Sequence, residues 1–261
     1  MNPYLCRVVL RPRSVAESFD TALLLIRRHA RRYRDLTLIV VVPVIVAILG
    51  LWGLLDPEAH GLVVVAALFV SPLLQGPFTV LTGRLLFADD VTASQALGEV
   101  GSRVGALLFA WFVQMMAVVV GVCTGVFWVV TLPVTAYVFE TALLERVDTQ
   151  ATVARSSFLA WRNFSVALSA TLAWVLLTGW AGFVAELTGQ TLVGFVLQLG
   201  EPFGTLYGGD VTPFLLVGVL LAQPLVATYR LLLYVDIRTR VEGWDLQVAL
   251  RAADLGSGEA A

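Results

Sequence analysis

The sequence contains no lysine. All seventeen of its basic residues are arginine, and charged residues make up only 14% of the chain, against about a quarter in an average soluble domain. The absence of lysine excludes a P-loop lysine for nucleotide phosphates and a lysine that forms a Schiff base. Two cysteines far apart in the chain, Cys6 and Cys123, exclude a disulfide framework and a Cys-x-x-Cys metal site. A net charge of −2 argues against nucleic acid as a partner.

Apolar residues are abundant instead. They make up 58% of the 261 residues, and the mean hydropathy is +0.85. A bilayer, acting as the solvent for outward-facing side chains, accounts for this excess better than a single soluble core does. The sequence therefore predicts an all-α fold, a polytopic transmembrane helical bundle with no attached soluble enzyme domain.

Five uncharged runs are long enough to cross a membrane core about 30 Å thick, which takes about 20 helical residues. They are Leu36–Leu55, Gly61–Gly83, Val104–Phe139, Asn163–Ala185 and Val211–Tyr229. The third would reach about 54 Å as one helix. We therefore predict two antiparallel helices joined near Gly121–Gly125, and six spans in total. A single long tilted helix is the alternative.

The arginines test this count independently. With the N-terminus inside, all seventeen lie in inner segments, whereas the outer segments Asp56–His60, the Gly121 turn and Glu186–Thr212 carry none. This is the bias of the positive-inside rule. We therefore predict that both chain ends are cytoplasmic.

The predicted domain organisation has three parts. They are an N-terminal cytoplasmic tail over residues 1–13, a single six-span membrane domain over 14–250, and a C-terminal cytoplasmic tail over 251–261. Met1–Arg13 carries three arginines but no apolar core, so we expect no cleavable signal peptide.

A threefold pattern runs through the membrane domain. Residues 14–34 begin with a capping box, Ser14 and Glu17, and repeat apolar residues at helical spacing on one face. Such a helix lies in the membrane interface. Similar openings recur at Thr92 and Asp148, and a fourth at Trp244 closes the chain. We therefore predict six spans arranged as three hairpins, with amphipathic interfacial helices between them.

The second span of each predicted hairpin contains proline, and a charge follows about seven residues later. These charges are Arg84, Glu140 and Arg230. Because buried charges in a bilayer are usually paired, we predict an Arg–Glu–Arg cluster near a pseudo-threefold axis. The alternative is that each side chain faces cytoplasmic water.

Two further groups of charged residues belong to the predicted inner surface. A candidate cytoplasmic polar network comprises Glu145, Arg155, Ser156, Asp236 and Arg240. The densest basic group precedes the first span and comprises Arg27, Arg28, Arg31, Arg32 and Arg34. This group fixes topology and snorkels to the interface, or it recruits anionic lipid at about 1 kcal/mol per residue.

Two uncharged features have open interpretations. Gln75, Gln114 and Gln223 lie within spans, where interhelical hydrogen bonding is their ordinary role. A continuous polar cavity beside them would favour transport instead. Glu186–Thr212 is predicted to end the fifth span and to lie at the outer interface or dip back in. It is an interfacial packing segment, a lid or a partner-docking surface.

The stretch from Leu143 to Phe164 carries a family resemblance. A Leu-Glu pair ends a proline-containing span, and an Arg-Ser pair opens an amphipathic helix about ten residues later. The matching residues are Glu145, Ala151, Arg155, Ser156, Leu159 and Phe164. In this pattern the chain resembles uncharacterised bacterial six-span integral membrane proteins related to the membrane domain of glycerophosphodiester phosphodiesterases. The resemblance implies a fold of unknown activity without the catalytic domain, in the bacterial cytoplasmic (inner) membrane.

No enzyme motif is present, so we predict no catalytic, cofactor-binding or metal-binding residues and no cofactor. The leading functional prediction is a non-catalytic scaffold or partner subunit in a membrane assembly. Its predicted partners are membrane lipids and other membrane proteins, and nucleic acid is not among them. The alternatives are a small-solute or lipid transporter of the flippase kind and, third, a lipid-modifying enzyme.

Overall fold

The computed structural model describes residues 12–87, 91–145, 149–200, 203–204 and 211–243, apart from the side chains of Phe87, Thr149 and Gln150. Every regular element in these ranges is a helix. Several predicted features lie outside the described residues. These are most of the N-terminal tail, the C-terminal tail, the linker residue Arg146 and the closing helix at Trp244–Leu250.

The helices follow one another in three units. Each unit has a short helix, a long helix and a broken helix, and the broken helix consists of two separately labelled parts. The first unit comprises α1 (Val15–Arg28), α2 (Ala30–Leu54), α3 (His60–Val70) and α4 (Gln75–Phe87). The second comprises α5 (Ala93–Gly101), α6 (Val104–Thr124), α7 (Trp128–Thr135) and α8 (Val138–Glu140). The third comprises α9 (Thr149–Arg162), α10 (Phe164–Gln190), α11 (Pro213–Leu221) and α12 (Gln223–Glu242).

A joint with similar backbone geometry interrupts the chain between the short and the long helix of each unit. The joint residues are His29, Arg103 and Asn163, with φ of −112°, −127° and −145° and ψ of 27°, 25° and 63°. These ψ values lie outside the α-helical region. The short helices are therefore elements of their own, and the repeated joint geometry matches the threefold pattern in the sequence.

Two short helices begin with the capping boxes expected from the sequence. Ser14 Oγ accepts a hydrogen bond from the Glu17 backbone N–H, and the Glu17 carboxylate accepts one from the Ser14 N–H. Thr92 and Gln95 exchange the same pair of bonds at the start of α5. Each box satisfies two N–H groups that the first helical turn leaves without a partner.

Five helical stretches are long and apolar enough to cross a membrane. They are Ala30–Leu54, Pro57–Leu86, Val104–Thr124, Trp128–Glu145 and Phe164–Val196. The pair α11 and α12, bent by 41°, makes a sixth if the two helices count as one span. Gly125, at φ 69°, ends α6 and separates it from α7. This excludes the alternative of one long tilted helix over that run.

The second, broken helix of each unit is interrupted next to a proline. A 3₁₀ turn at Ser71–Leu74 contains Pro72, a turn at 136–137 follows Pro133, and the bend at Ala222 precedes Pro224. Proline removes one backbone donor and clashes with the preceding turn, which accounts for the interruptions before Gln75 and at Ala222. The turn at 136–137 follows its proline and is not explained in this way.

Burial differs strongly among the helices. Most of α12 from Gln223 to Ile237 is buried, and this helix forms the centre of the bundle. In contrast, α2, α3, α6 and α10 expose many large apolar side chains, among them Leu38, Val46, Phe112 and Leu176. Such extensive apolar exposure is the outward face of a helix solvated by lipid.

The two ends of the bundle differ in charge. One end contains the three joints, the C-termini of α4 and α12, and a π-helical turn at Thr141–Glu145, and we call it the arginine end. All described arginines except Arg230 lie on or beside these elements, and the described residues of the turns at the opposite end include none.

Glycines let α10 and α11 approach closely. A Cβ atom at Gly218 would lie 2.4 Å from the Ala185 Cβ, 2.6 Å from the Ala181 carbonyl oxygen and 2.9 Å from the Gly182 Cα. Two of these three contacts are with backbone atoms, which cannot move aside. The absence of a side chain at Gly218 is therefore a requirement of this helix pair.

The prediction that the fifth span ends at Ala185 is wrong. Helix α10 continues to Gln190, and a π-helical turn extends it over Thr191–Val196. The predicted end rests on the charge of Glu186, which the structure instead buries within the helix. In the structure Gly189 faces the ring of Phe214, which a Cβ atom would approach to 2.3 Å. This glycine serves packing instead of a turn.

Two described residues that follow this helix, Gly204 and Thr212, contact its end. Glu186 is 2% exposed, and its carboxylate accepts hydrogen bonds from Gln190 Nε2 at 3.1 Å and from Thr212 Oγ. Gln190 Nε2 also donates to the Gly204 carbonyl at 2.8 Å. These described residues of the segment therefore contact the end of α10.

Candidate functional site

Arg230 on α12 is a guanidinium buried inside the bundle, with 3% of its side chain exposed. Its Nη1 donates to Gln75 Oε1 at 2.7 Å, and its Nη2 donates to the Ala136 carbonyl at 2.5 Å. Its Nε lies 3.5 Å from the carboxylate of Glu140, which is 1% exposed. Arg230 thus connects α12 to α4 and to the break between α7 and α8.

Two aromatic rings enclose the same guanidinium. The Arg230 Cζ lies 5.4 Å from the centroid of the Phe139 ring and 5.1 Å from that of the Trp174 ring. A desolvated cation over an aromatic face gains about 2 kcal/mol. The rings on α8 and α10 therefore compensate part of the cost of removing this charge from water.

A chain of amides extends the polar contacts. Gln75 Nε2 donates to Gln223 Oε1 at 2.8 Å, and Gln223 Nε2 donates to the Val219 carbonyl at 2.7 Å. We call Gln75, Glu140, Gln223 and Arg230 the Arg230 cluster. All four residues are 4% exposed or less, so the cluster is closed to both ends of the bundle. Gln114 lies apart, with Nε2 3.5 Å from Thr135 Oγ1.

Four polar atoms in or beside this cluster have no hydrogen-bond partner among the described residues. They are Glu140 Oε2, Arg230 Nε, Tyr137 Oη and Trp174 Nε1. Donors and acceptors of this kind are the groups that could bind a water or another small polar molecule.

The three charges that the sequence grouped together do not form one cluster. Glu140 and Arg230 lie together in the interior, but Arg84 lies at the arginine end with 46% of its side chain exposed. Its guanidinium contacts Glu99 on α5 at 2.8 Å. The physical reason is local, because the next helix along the chain supplies a carboxylate close to the end of α4. The residue of α4 that contacts Arg230 is Gln75 and not Arg84.

The predicted polar network at the arginine end divides into two groups. In the first, Arg155 on α9 contacts Glu145 at 2.9 Å and also contacts Glu242. Arg238 contacts Glu145 at 3.4 Å and Glu242 at 3.0 Å. We call these four residues the four-charge network, and Tyr234 Oη donates to its Glu145 carboxylate. The network predicted from the sequence did not include Arg238, Glu242 or Tyr234.

The second group ties the two ends of the described chain together. Asp236 accepts from Arg240 Nε at 2.8 Å and from the Arg13 backbone N–H at 2.5 Å. Arg240 Nη2 donates to the Arg13 carbonyl at 2.6 Å. Ser156 belongs to neither group, since its hydroxyl donates to the Val134 carbonyl at 3.0 Å.

Arg155 keeps its positive charge within the four-charge network. Burial alone would lower the pKa of its guanidinium, but hydrogen bonds and the charges of Glu145 and Glu242 outweigh burial and raise that pKa. Each of the two cations in the network contacts both carboxylates, so opposite charges alternate around it.

Replacing Glu145 by Gln is expected to lower the free energy of unfolding by about 1–3 kcal/mol, since hydrogen bonds to charged groups are worth about that much. The change leaves Arg155 and Arg238 with one carboxylate between them. Denaturation in mixed micelles with increasing dodecyl sulfate measures the loss. The matched control is Asp35→Asn, which removes a carboxylate paired with an exposed Arg34. Equal effects of the two substitutions would contradict a stabilising role for the network.

The five arginines near the first joint have different surroundings. Arg28, Arg31 and Arg32 line a cavity of about 510 Å³ together with His29 and Asp35. Arg34 contacts Asp35 at 3.0 Å, and Arg27 is exposed without lining the cavity. A second cavity, an apolar groove of about 890 Å³, lies between α1 and α10 beside Tyr229.

Comparison of the chain with protein-family models, with curated proteins and with solved structures finds no match. The resemblance to the glycerophosphodiester phosphodiesterase membrane domain therefore stays a prediction. Within the described part of the chain, no group of three or more His, Cys, Asp or Glu side chains is placed to hold a metal ion.

Proposed function

We propose that this chain is a non-catalytic integral membrane protein that acts as a scaffold or partner subunit of a membrane assembly. The observation that carries the proposal is the closed Arg230 cluster. Its buried amides and guanidinium direct their hydrogen bonds to each other and to backbone carbonyls of neighbouring helices. Polar groups used in this way fix helix positions instead of lining a route through the bundle.

The arginine distribution supports an orientation for this protein. The described arginines gather at one end, as in inner-membrane proteins that follow the positive-inside rule. We propose that the arginine end and both chain termini face the cytoplasm of a bacterium. We also propose membrane lipids as partners, supported by the apolar groove between α1 and α10.

A small-solute transporter is the second candidate, and one observation favours it. Glu140 Oε2, Tyr137 Oη and Trp174 Nε1 surround Arg230 without hydrogen-bond partners among the described residues, and a substrate could occupy such groups in an open conformation. A lipid-modifying enzyme is the third candidate and depends on the family resemblance alone.

Thiol accessibility separates the scaffold from the transporter. In a chain without its own cysteines, Thr79→Cys and Ala136→Cys introduce thiols at positions that are 1% and 3% exposed. For a scaffold we expect both thiols to resist a membrane-impermeant maleimide in right-side-out and inside-out vesicles. Labelling of either position from either face would favour the transporter and contradict the scaffold.

Two exposed positions serve as controls and report the orientation. Ser94→Cys in the same cysteine-free chain lies on α5 at the arginine end, and a chain that keeps only the native Cys123 has its thiol at the opposite end of α6. We expect the first thiol to react in inside-out vesicles and the second in right-side-out vesicles. The reverse pattern would overturn the proposed orientation without affecting the scaffold.

The scaffold proposal also requires a partner. A tagged chain extracted from its native membrane in mild detergent should elute from size exclusion with a second polypeptide at a fixed molar ratio. The ratio should persist after chemical crosslinking in intact membranes. A chain that elutes alone and forms no crosslinked product would overturn the proposal.

A further inference from the structure

The joint between α1 and α2 forms a cavity with the start of α5. Its lining combines Arg28, His29, Arg31, Arg32 and Asp35 with residues 91–93, and its volume is about 510 Å³. We call it the joint cavity. The volume lies within the range of about 300–1,000 Å³ that small-molecule sites occupy, and half of the eight lining residues are charged.

The joint cavity carries an excess of positive charge. The side chains of Arg28 and Arg31 are exposed and make no hydrogen bond or ion pair with another residue of the described ranges. The single acidic side chain of the lining, Asp35, already accepts two hydrogen bonds from Arg34, at 3.0 and 3.2 Å. The two arginines therefore remain available to an anion.

Exposed apolar side chains flank these arginines on both helices. Leu24 is 65% exposed and precedes Arg28 by one turn of α1. Leu38 and Ile39 are 55% and 54% exposed and follow the lining residues by about one turn of α2. Arginines between two exposed apolar surfaces lie where the lipid phosphates meet the hydrocarbon.

We propose that the joint cavity binds the phosphate headgroup of an anionic membrane phospholipid. Arg28 and Arg31 donate hydrogen bonds to the phosphate oxygens, and the acyl chains lie along Leu38 and Ile39. Guanidinium groups suit this role because their planar donors match the oxygens of a phosphate. Such a site goes beyond the general attraction of a basic segment to a charged leaflet, in which every arginine counts alike.

The geometry provides a matched pair of variants. The double variant Arg28→Gln/Arg31→Gln removes two charges from the cavity lining. The control double variant Arg27→Gln/Arg162→Gln removes two exposed charges from the same end of the bundle, neither of them in the lining. Both variants change the net charge equally. Unfolding midpoints measured without lipid check that both are folded.

The experiment titrates each full-length protein in detergent with dioleoylphosphatidylglycerol. Native mass spectrometry counts bound lipid, and dioleoylphosphatidylcholine is the neutral comparison. We expect the cavity variant to bind phosphatidylglycerol at least about 10-fold more weakly than the wild type, because it loses two charge-assisted contacts to the phosphate. The control variant should stay within about twofold of the wild type, in line with weak exposed interactions.

Each other outcome overturns the proposal. Equal weakening by both variants would indicate unspecific attraction to negative charge, and no weakening by the cavity variant would exclude the site. Inorganic phosphate provides the last comparison. If it displaces the lipid at millimolar concentration and stabilises the wild type to the same extent, the cavity is a site for free phosphate.

Discussion

Replacing Glu140 by Gln is expected to lower the free energy of unfolding by about 3–5 kcal/mol, the usual cost of breaking a buried ion pair from one side. The substitution keeps the size of the side chain but removes its charge. Arg230 would then keep its amide and carbonyl partners while its positive charge, 3% exposed, loses its carboxylate. Denaturation in mixed micelles with increasing dodecyl sulfate measures the difference.

Arg84→Gln is the control because its ion pair with Glu99 is closer, at 2.8 Å, but its arginine is 46% exposed. Exposed ion pairs contribute about 0–1 kcal/mol, so this variant should stay close to the wild type. The double variant Glu140→Leu/Arg230→Met should lose less than the sum of the two single variants, since it leaves no uncompensated charge. Similar losses for Glu140→Gln and Arg84→Gln would show that water reaches the Arg230 cluster.

Replacing Gly218 by Ala should destabilise the bundle by about 1–3 kcal/mol, the range for an overpacked interior. The added methyl group would contact the backbone of α10 at Ala181 and Gly182 at less than 3.0 Å. The two helices must separate to admit it. The same denaturation experiment measures this loss, and Gly218→Leu should have a larger effect.

The control for this prediction lies on the partner helix. A Cβ atom at Gly179 would meet no other atom within 4 Å, so Gly179→Ala should be neutral or stabilising by up to about 1 kcal/mol through helix propensity. If both substitutions gave the same sign and size, close contact between α10 and α11 would not be what holds them together.

Local features of the sequence predicted local structure well. The capping residues Ser14 and Thr92 begin helices as expected, because a cap needs only partners within three residues. The break near Gly125 followed from the length of the apolar run, which exceeds the thickness of a membrane. The all-helical fold with several membrane-crossing helices required no knowledge of contacts between helices.

Contacts between distant segments were harder to predict. Gln75 and Arg230 are 155 residues apart in the chain, and no local pattern relates them. Arg84 was grouped with Glu140 from proline spacing, although Glu99 lies only 15 residues further along the chain. Equivalent positions in the repeat therefore did not give these charges equivalent surroundings, because the neighbouring helix decides whether each charge is buried or exposed.

The contact between Arg13 and the end of α12 has a consequence for the order of events during synthesis. Arg13 and Asp236 are 223 residues apart, and a chain grows at about 5–20 residues per second. Helix α1 is therefore synthesised roughly 10–45 s before α12, the helix that contains Tyr229 and Asp236. During that interval α12 cannot cover the apolar face of α1, and we expect that face to bind the lipid surface before it binds the rest of the protein.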